Sequence, residues 1–256
     1  MRDGPGDRTA PLPPADAVPR AEPPSKYGNP ESYEVFGKRY YTLKSSAGFV
    51  EQGIASWYGS KFHGRRTSSG EIYDMYRMTA AHKQLPLPTW VEVRNLANNR
   101  SITVRVNDRG PFHENRIIDL SYAAALKLGI ADAGTAFVEV RAIDAAGRPA
   151  PSAPATAPVA SAPTPEPLPP TPAPVPASAA SLYLQVGAFG ERANADRLAA
   201  RLARVAPGNV HVHATSVAGR ALYRVRIGPI SSVEMADTMV AALEGMGVTE
   251  HHFATH

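Results

Sequence analysis

The stretch V-E-V-R-N-L-A-N-N-R-S-I-T-V-R-V, residues 91–106, decides how the first half of the chain reads. Val91 and Val93 alternate with Glu92 and Arg94. Two asparagines follow, Asn98 and Asn99, and then Ile102, Val104 and Val106 alternate with Thr103 and Arg105. A period of two puts every apolar side chain on one face of a strand, and asparagine tolerates the left-handed backbone of a tight turn. The stretch therefore predicts a β-hairpin with one buried face. Outward from it, Phe137–Ile143 alternates in the same way. The segment Leu85-Pro86-Leu87-Pro88 is neither helix nor central strand, because proline has no N–H to give. It reads as a rigid connection into a strand that starts near Trp90. Short apolar strands separated by turns suggest a small barrel. One helix interrupts them: Ser121 can cap Tyr122–Leu128, and Gly129 can close its C-terminus.

The chain has 256 residues, enough for one or two domains. Its 25 prolines crowd residues 1–30 and 149–176, which separates ordered from unordered parts. Residues 1–30 are expected to be a disordered Pro-rich tether. Residues 31–144 form the first domain, with the aromatic residues 31–50 as an extended lead-in. Residues 145–180 hold almost nothing but Ala, Pro, Ser, Thr and Val. Such a segment lacks the large apolar groups of a core, so it is a disordered Pro/Ala-rich linker able to reach about 90 Å. Residues 181–256 form a second domain with an internal repeat. Strand Leu182–Phe189, helix Arg192–Val205 and strand Asn209–Thr215 are followed by strand Ala221–Ile227, a Gly228-Pro229 turn, helix Ser232–Met246 and strand Thr249–Ala254. Two βαβ units in succession predict a ferredoxin-like βαββαβ sandwich. The fold class is thus mainly β plus α+β.

The net charge of +4 contains no basic run, so nucleic acid is not an expected partner. The second domain offers only Tyr223 in the strand where RNA-binding sandwiches carry several aromatics. There is no cysteine, which excludes disulfides, thiol catalysis and cysteine metal sites. No His-x-x-x-His pair supports zinc, and no nucleophile elbow supports a serine hydrolase. No metal or cofactor is expected.

The chemistry falls to carboxylates on a glycine- and serine-rich, aromatic-lined stretch. Cutting a glycosidic bond needs a proton for the leaving oxygen and something to trap the cationic carbon. Glu71 follows the small turn Ser68-Ser69-Gly70, and is either a solvated turn residue or an acid open to a polymer. Asp108 ends an apolar strand before Arg109-Gly110-Pro111, and is an Asx-turn residue, an ion-pair partner or a catalytic group. Asp119 lies between Ile118 and Leu120, where burial is expected. There it is paired and structural, or raised in pKa and functional. Asp74 is a fourth acid in the stretch. His82 can orient a carboxylate, bind sugar hydroxyls or hold a strand end. Trp57, Tyr58, Tyr73, Tyr76 and Phe112 are either core or sugar-stacking platforms.

The runs G-I-A-S-W-Y-G (53–59), F-H-G-R-R-T-S-S-G-E-I-Y-D-M (62–75), T-A-A-H-K-Q-L-P-L-P (79–88), V-N-D-R-G-P-F (106–112) and R-I-I-D-L-S-Y-A-A-A (116–125) resemble the rare lipoprotein A (RlpA) family. The lead-in Y-G-N-P-E-S-Y-E-V-F-G-K-R-Y-Y (27–41) resembles it too. The resemblance implies an expansin-like double-psi β-barrel and an endolytic lytic transglycosylase. Such an enzyme cuts MurNAc–GlcNAc bonds of peptidoglycan and leaves 1,6-anhydro ends. It places the family's catalytic glutamate, histidine and aspartate on Glu71, His82 and Asp108, and a further acid on Asp119. The glycan contacts expected on the barrel are Trp57, Tyr58, Asn107 and Arg109. A non-catalytic, expansin-like glycan binder is the alternative.

The pieces Y-L-Q-V-G-A-F (183–189), A-x-x-L-A-A-R-L (195–202) and Y-R-V-R-I-G-P-I (223–230) are similar to SPOR domains. That similarity implies binding to glycan strands lacking stem peptides, through Gln185, Phe189 and Arg224, at the division septum, where divisome proteins are further expected partners. The family is exported and commonly anchored through a lipidated cysteine. The start M-R-D-G-P-G-D-R shows no apolar leader, so the expectation is an outer-membrane lipoprotein of the cell envelope whose targeting segment is missing from this sequence.

Overall fold

A computed structural model describes residues 15–113, 115–149, 182–204, 206, 208–217, 220–248 and 251–255. Residues 1–14 of the expected tether and 150–180 of the expected linker lie outside the described residues. Among those described, no helix is long and apolar enough to cross a membrane.

A small hairpin, β1 (Ser32–Val35) and β2 (Lys38–Tyr41), leads in. Its turn is Phe36-Gly37, both at positive φ, the geometry that matches the twist of a two-residue hairpin. Six strands then close a barrel: β3 (Val50–Tyr58), β4 (Thr79–His82), β5 (Thr89–Asn95), β6 (Ser101–Asp108), β7 (Arg116–Ser121) and β8 (Thr135–Ala142). Around the barrel the order is β3-β7-β4-β6-β5-β8. Two pairs are parallel, β3 with β7 and β4 with β6, and the other neighbours are antiparallel. These two interlocked parallel crossings make the barrel a double-psi barrel.

The alternation read from sequence is what closes it. Val91, Val93, Ile102, Val104, Val106, Ile118, Leu120, Val138 and Val140 are fully buried in one core. Each contributes about 1.5–3 kcal/mol through burial. The alternate residues on β5 and β6, Trp90 and Glu92 on the one and Thr103 and Arg105 on the other, face outward. Helix α1 (Tyr122–Leu128) follows β7 directly. Ser121 caps it by accepting from the Ala124 N–H, and Gly129, at φ 76°, closes it in the left-handed conformation.

The second domain is a four-stranded antiparallel sheet of β9 (Leu182–Phe189), β10 (Val210–Val217), β11 (Arg220–Ile230) and β12 (His252–Thr255), in the order β10-β11-β9-β12. Helices α2 (Arg192–Leu202) and α3 (Val233–Gly245) supply Ala195, Leu202, Ala236, Val240 and Leu243 to its core. This is the βαββαβ sandwich that the repeat predicts. One detail differs: Gly228-Pro229 does not turn the chain but lies inside β11, where the pairing with β9 shifts register. An irregularity of this kind absorbs a residue with no N–H donor that a regular central strand does not accept.

A larger correction concerns the start. Residues 15–30, expected as part of a disordered tether, are tied to the barrel. The Ser25 N–H donates to the Leu87 carbonyl at 2.7 Å, and Asn29 exchanges two hydrogen bonds of 2.7 Å with the backbone of Leu87. Lys127 pairs with Asp16 at 2.9 Å. Polar composition alone does not show that a proline-rich segment has a preformed surface to lie on.

Candidate active site

The turn Thr67–Gly70 builds the site. Gly70, at φ 92°, lets the chain reverse so that the Thr67 N–H reaches the Glu71 carbonyl at 2.8 Å. The turn is then bolted to the end of β6. Asp108 Oδ1 accepts from the Ser68 N–H (2.8 Å), the Ser68 hydroxyl (2.7 Å) and the Arg109 N–H (2.8 Å). Docked this way, the turn delivers Glu71 to the outward face of β6. There Arg105 Nη1 donates to both Glu71 oxygens at 2.7 and 2.9 Å, and Asn107 Nδ2 donates to Oε2 at 2.8 Å. The Glu71 side chain remains 44% exposed.

Glu71 lines an open groove of about 890 Å³. Arg105, Asn107, Thr79 and Trp90 line it from the barrel, Asp74 and Arg77 from the loop after Glu71, and Ala17, Val18 and Arg20 from the N-terminal strap. Arg105 is shared. Its Nε and Nη2 donate to Glu22 of the strap at 3.1 and 2.8 Å while Nη1 holds Glu71. Burial pushes the Glu22 carboxyl up, but the hydrogen bonds and charges of Arg105 and Arg20 outweigh it and hold it below the ordinary carboxylate range.

The barrel register sets the other two acids side by side. Ala81 of β4 pairs with Asp108 on one flank and with Asp119 of β7 on the other. With strands about 4.8 Å apart, their Cα atoms are roughly 10 Å from each other. Asp119 faces outward between buried Ile118 and Leu120. Ser56 hydrogen-bonds its carboxylate, and Arg116 donates to the same Ser56 hydroxyl at 3.0 Å. Burial raises the Asp119 pKa above its ordinary value; the Ser56 bond and the charges of Arg116, His113 and Lys83 oppose that rise.

Several expected site residues lie elsewhere. His82 is 1% exposed. Its Nδ1 accepts from the Gln84 and Leu85 N–H groups, both at 3.1 Å, so its proton sits on Nε2, which faces Glu51 Oε2 at 3.3 Å. It holds the end of β4 and lines a different depression, with Glu51, Lys83 and Arg116. Tyr58 is not a surface platform. Its ring is buried and stacked on Tyr73 at 4.1 Å. Burial, with Tyr73, Asp108 and Asp119 nearby, pushes its phenol well above the usual range. Trp57 is half-buried and packs against Tyr122 at 5.3 Å. Arg109 binds the protein's own backbone: Gly28 O at 2.9 and 2.6 Å, His82 O at 3.3 Å, and Leu85 O. It clamps the strap to the barrel. Its carbonyl partners come from two segments distant in sequence, the strap and the end of β4 with the turn after it, which meet only in the folded state.

In the second domain Gln185 is buried and accepts from Arg226 Nε at 3.4 Å. The Arg224 Nε is buried without a hydrogen-bond partner. Phe189 packs over Gly187 toward Leu198 of α2, on the core side of the sheet. Sequence reasoning missed Arg105, Trp90 and Glu22. The outward positions of the 91–106 hairpin were the available signal, since Trp90 and Arg105 are directly paired across it.

Barrel and groove together define a class, a double-psi barrel with an exposed carboxylate held beside an open cleft, followed by an α+β sandwich. Known proteins agree. A family model described as lytic transglycolase matches residues 50–140, and a SPOR domain model matches residues 178–250. The endolytic peptidoglycan transglycosylase RlpA of Pseudomonas aeruginosa strain UCBPP-PA14 is 42% identical over 254 residues, covering 86% of this chain and 74% of that protein. The protein of the same name from Vibrio cholerae is 60% identical over 128 residues, half of this chain and 48% of its own length. The crystal structure of the RlpA SPOR domain from P. aeruginosa is 30% identical, covering 28% of this chain and 96% of that one, with a TM-score of 0.28. The chain belongs to the RlpA family.

Proposed function

We infer that the chain is an endolytic peptidoglycan transglycosylase whose barrel cuts glycan strands and whose SPOR domain binds peptidoglycan. The observation that carries the site assignment is Glu71: an exposed carboxylate, fixed by three donor contacts, in the large groove of a lytic-transglycosylase barrel. In this reading Glu71 faces the scissile bond, and Arg105 and Asn107 hold its geometry. Asp119, which burial biases toward its protonated form, is the reserve acid. Asp108 positions the turn that carries Glu71. His82 positions β4 and, through it, the Ala81 register that spaces the two aspartates. Glu71 gives a proton to the leaving glycosidic oxygen as the C1–O bond breaks and takes the proton of the substrate's own 6-hydroxyl as that oxygen bonds C1, which leaves a 1,6-anhydro end and needs no second carboxylate nucleophile. The second domain directs the enzyme to peptide-free glycan at the division septum, within a cell-envelope setting, with Gln185, Arg224 and Arg226 on or beside the recognising surface.

The test is the product. Wild-type protein incubated with stem-peptide-free glycan should release anhydro-terminated fragments, read by mass spectrometry, and Glu71→Gln should release none while folding normally. Full activity in Glu71→Gln removes Glu71 from the mechanism. One observation favours the binder as a second reading: Asp108 and His82 are both engaged in holding backbone. Binding of the glycan by wild-type protein with no fragments under any condition decides for it.

A further inference from the structure

Arg105 serves two carboxylates unequally. Its Nε and Nη2 donate to the two oxygens of Glu22 at 3.1 and 2.8 Å, the side-on fork that best fits a carboxylate. Glu71 receives the one nitrogen left over, Nη1. The Arg105 and Glu22 side chains are 15% and 16% exposed, against 44% for Glu71. The plane of the guanidinium is therefore set by the strap, and Glu71 is the looser member of the trio.

The strap also reaches the turn that carries Glu71. The Ser25 hydroxyl donates to the Ser69 carbonyl at 3.1 Å. Gly28, at φ 83°, lies so close that a Cβ there would stand 2.7 Å from the Ser68 carbonyl oxygen, and the Tyr27 ring lies against Gly70. The bonds of Ser25 and Asn29 to Leu87 hold this part of the strap independently of Glu22. Removing the Glu22 charge therefore loosens residues 17–22 and leaves the turn seated.

Charge counts as well as geometry. The charged groups around Glu71 are Arg105 of β6, Asp74 and Arg77 of the loop after it, and Arg20 and Glu22 of the strap, while Arg66 is held on the Gly70 carbonyl. With Glu22 in place, the charge of Arg105 is divided between two anions, and Arg20 is drawn to Glu22 at 3.1 Å. Without it, Arg105 is free to turn its fork to Glu71 and give it the whole charge. An undivided positive charge favours a carboxylate anion and opposes the protonated form that the leaving oxygen needs.

We propose that Glu22 is a positioning residue for glycan cleavage. It grips the Nε–Nη2 edge of Arg105, so that Arg105 steers the Glu71 carboxylate into the groove without pairing with it fully. The proposal rests on the reading of Glu71 as the acid. The full chain is assayed on stem-peptide-free glycan, and release of anhydro-terminated fragments is followed across pH. Glu22→Gln should lower kcat about tenfold with KM within about twofold, and activity should begin its alkaline fall about one pH unit lower. Glu22→Asp keeps the charge but is a methylene too short to span the fork. It should lose about threefold in kcat with the alkaline fall where wild type has it, and it carries the test should Glu22→Gln not fold. Wild-type kcat in either variant overturns the proposal. So does a loss confined to KM, which makes Glu22 part of a glycan-binding surface. A lower kcat in Glu22→Gln with an unmoved pH profile overturns it too, because a strap that only braces the fold gives that result. Failure of the Glu71 reading is seen elsewhere, in Glu71→Gln releasing fragments at the wild-type rate.

Discussion

Asp119 shows how much one residue's position decides. Between two buried neighbours on β7 its side chain points outward, yet the packing around Ser56 and Ala81 still takes it largely out of water. Its pKa is raised in the folded state, so the folded form carries a penalty once pH exceeds that raised value, and the penalty vanishes below the unfolded value. Asp119→Asn should therefore raise the melting temperature relative to wild type at pH 8, with the difference shrinking toward pH 4. A variant less stable than wild type at pH 8 would show that Ser56 and Arg116 fully satisfy the anion. At the same scale, Glu71 was visible in the sequence as an acid after a small-residue turn. Its partner Arg105 was not, because an arginine in an alternating strand reads as ordinary solvent-facing polarity.

Among the elements, α1 and the strap are opposites. The helix was legible to the residue, since Ser121 and Gly129 act on backbone within one turn. Ser121→Ala should cost about 1 kcal/mol, measured by denaturant unfolding, because the Ala124 N–H loses its acceptor. Ser121 also donates to the Arg77 carbonyl, so a cost well below that figure would count against both contacts. The strap was not legible, since its barrel partners lie between roughly 40 and 110 residues away and its own composition is that of a tether. It has a pH dependence of definite sign. The Glu22 carboxyl is held low, so its contribution is present above the ordinary glutamate value near 4.3 and is lost as pH falls through the lowered folded value. Backbone ¹⁵N relaxation should show residues 17–22 as rigid as the barrel at pH 6 and markedly more mobile, relative to β5 and β6, once acid titration has protonated Glu22. A strap equally rigid at both values would mean that its backbone bonds suffice without Glu22.

At the scale of the whole chain, two folded units divide the labour of cutting and binding. Removing 181–256 should abolish septal accumulation of a fluorescent fusion and leave cleavage of soluble, peptide-free glycan within about twofold of wild type, because the groove is built from residues 15–107 alone. Unchanged localisation would refute the proposed targeting role. Both units could be delimited from proline content, and the sandwich from its doubled strand-helix-strand pattern. By itself the sequence determined the hairpin, the capped helix and the α+β repeat, and it offered the acids proposed to carry the chemistry. All of these rest on side-chain periodicity or on hydrogen bonds between near neighbours. Only the tertiary structure decided which acids meet. It set Glu71 on Arg105 in the groove, spaced Asp108 and Asp119 across Ala81, turned His82 and Arg109 to backbone, and laid the strap beside Trp90. Those placements follow from the parallel crossings that close the barrel, and pairing between strands distant in sequence leaves no period in the chain to read.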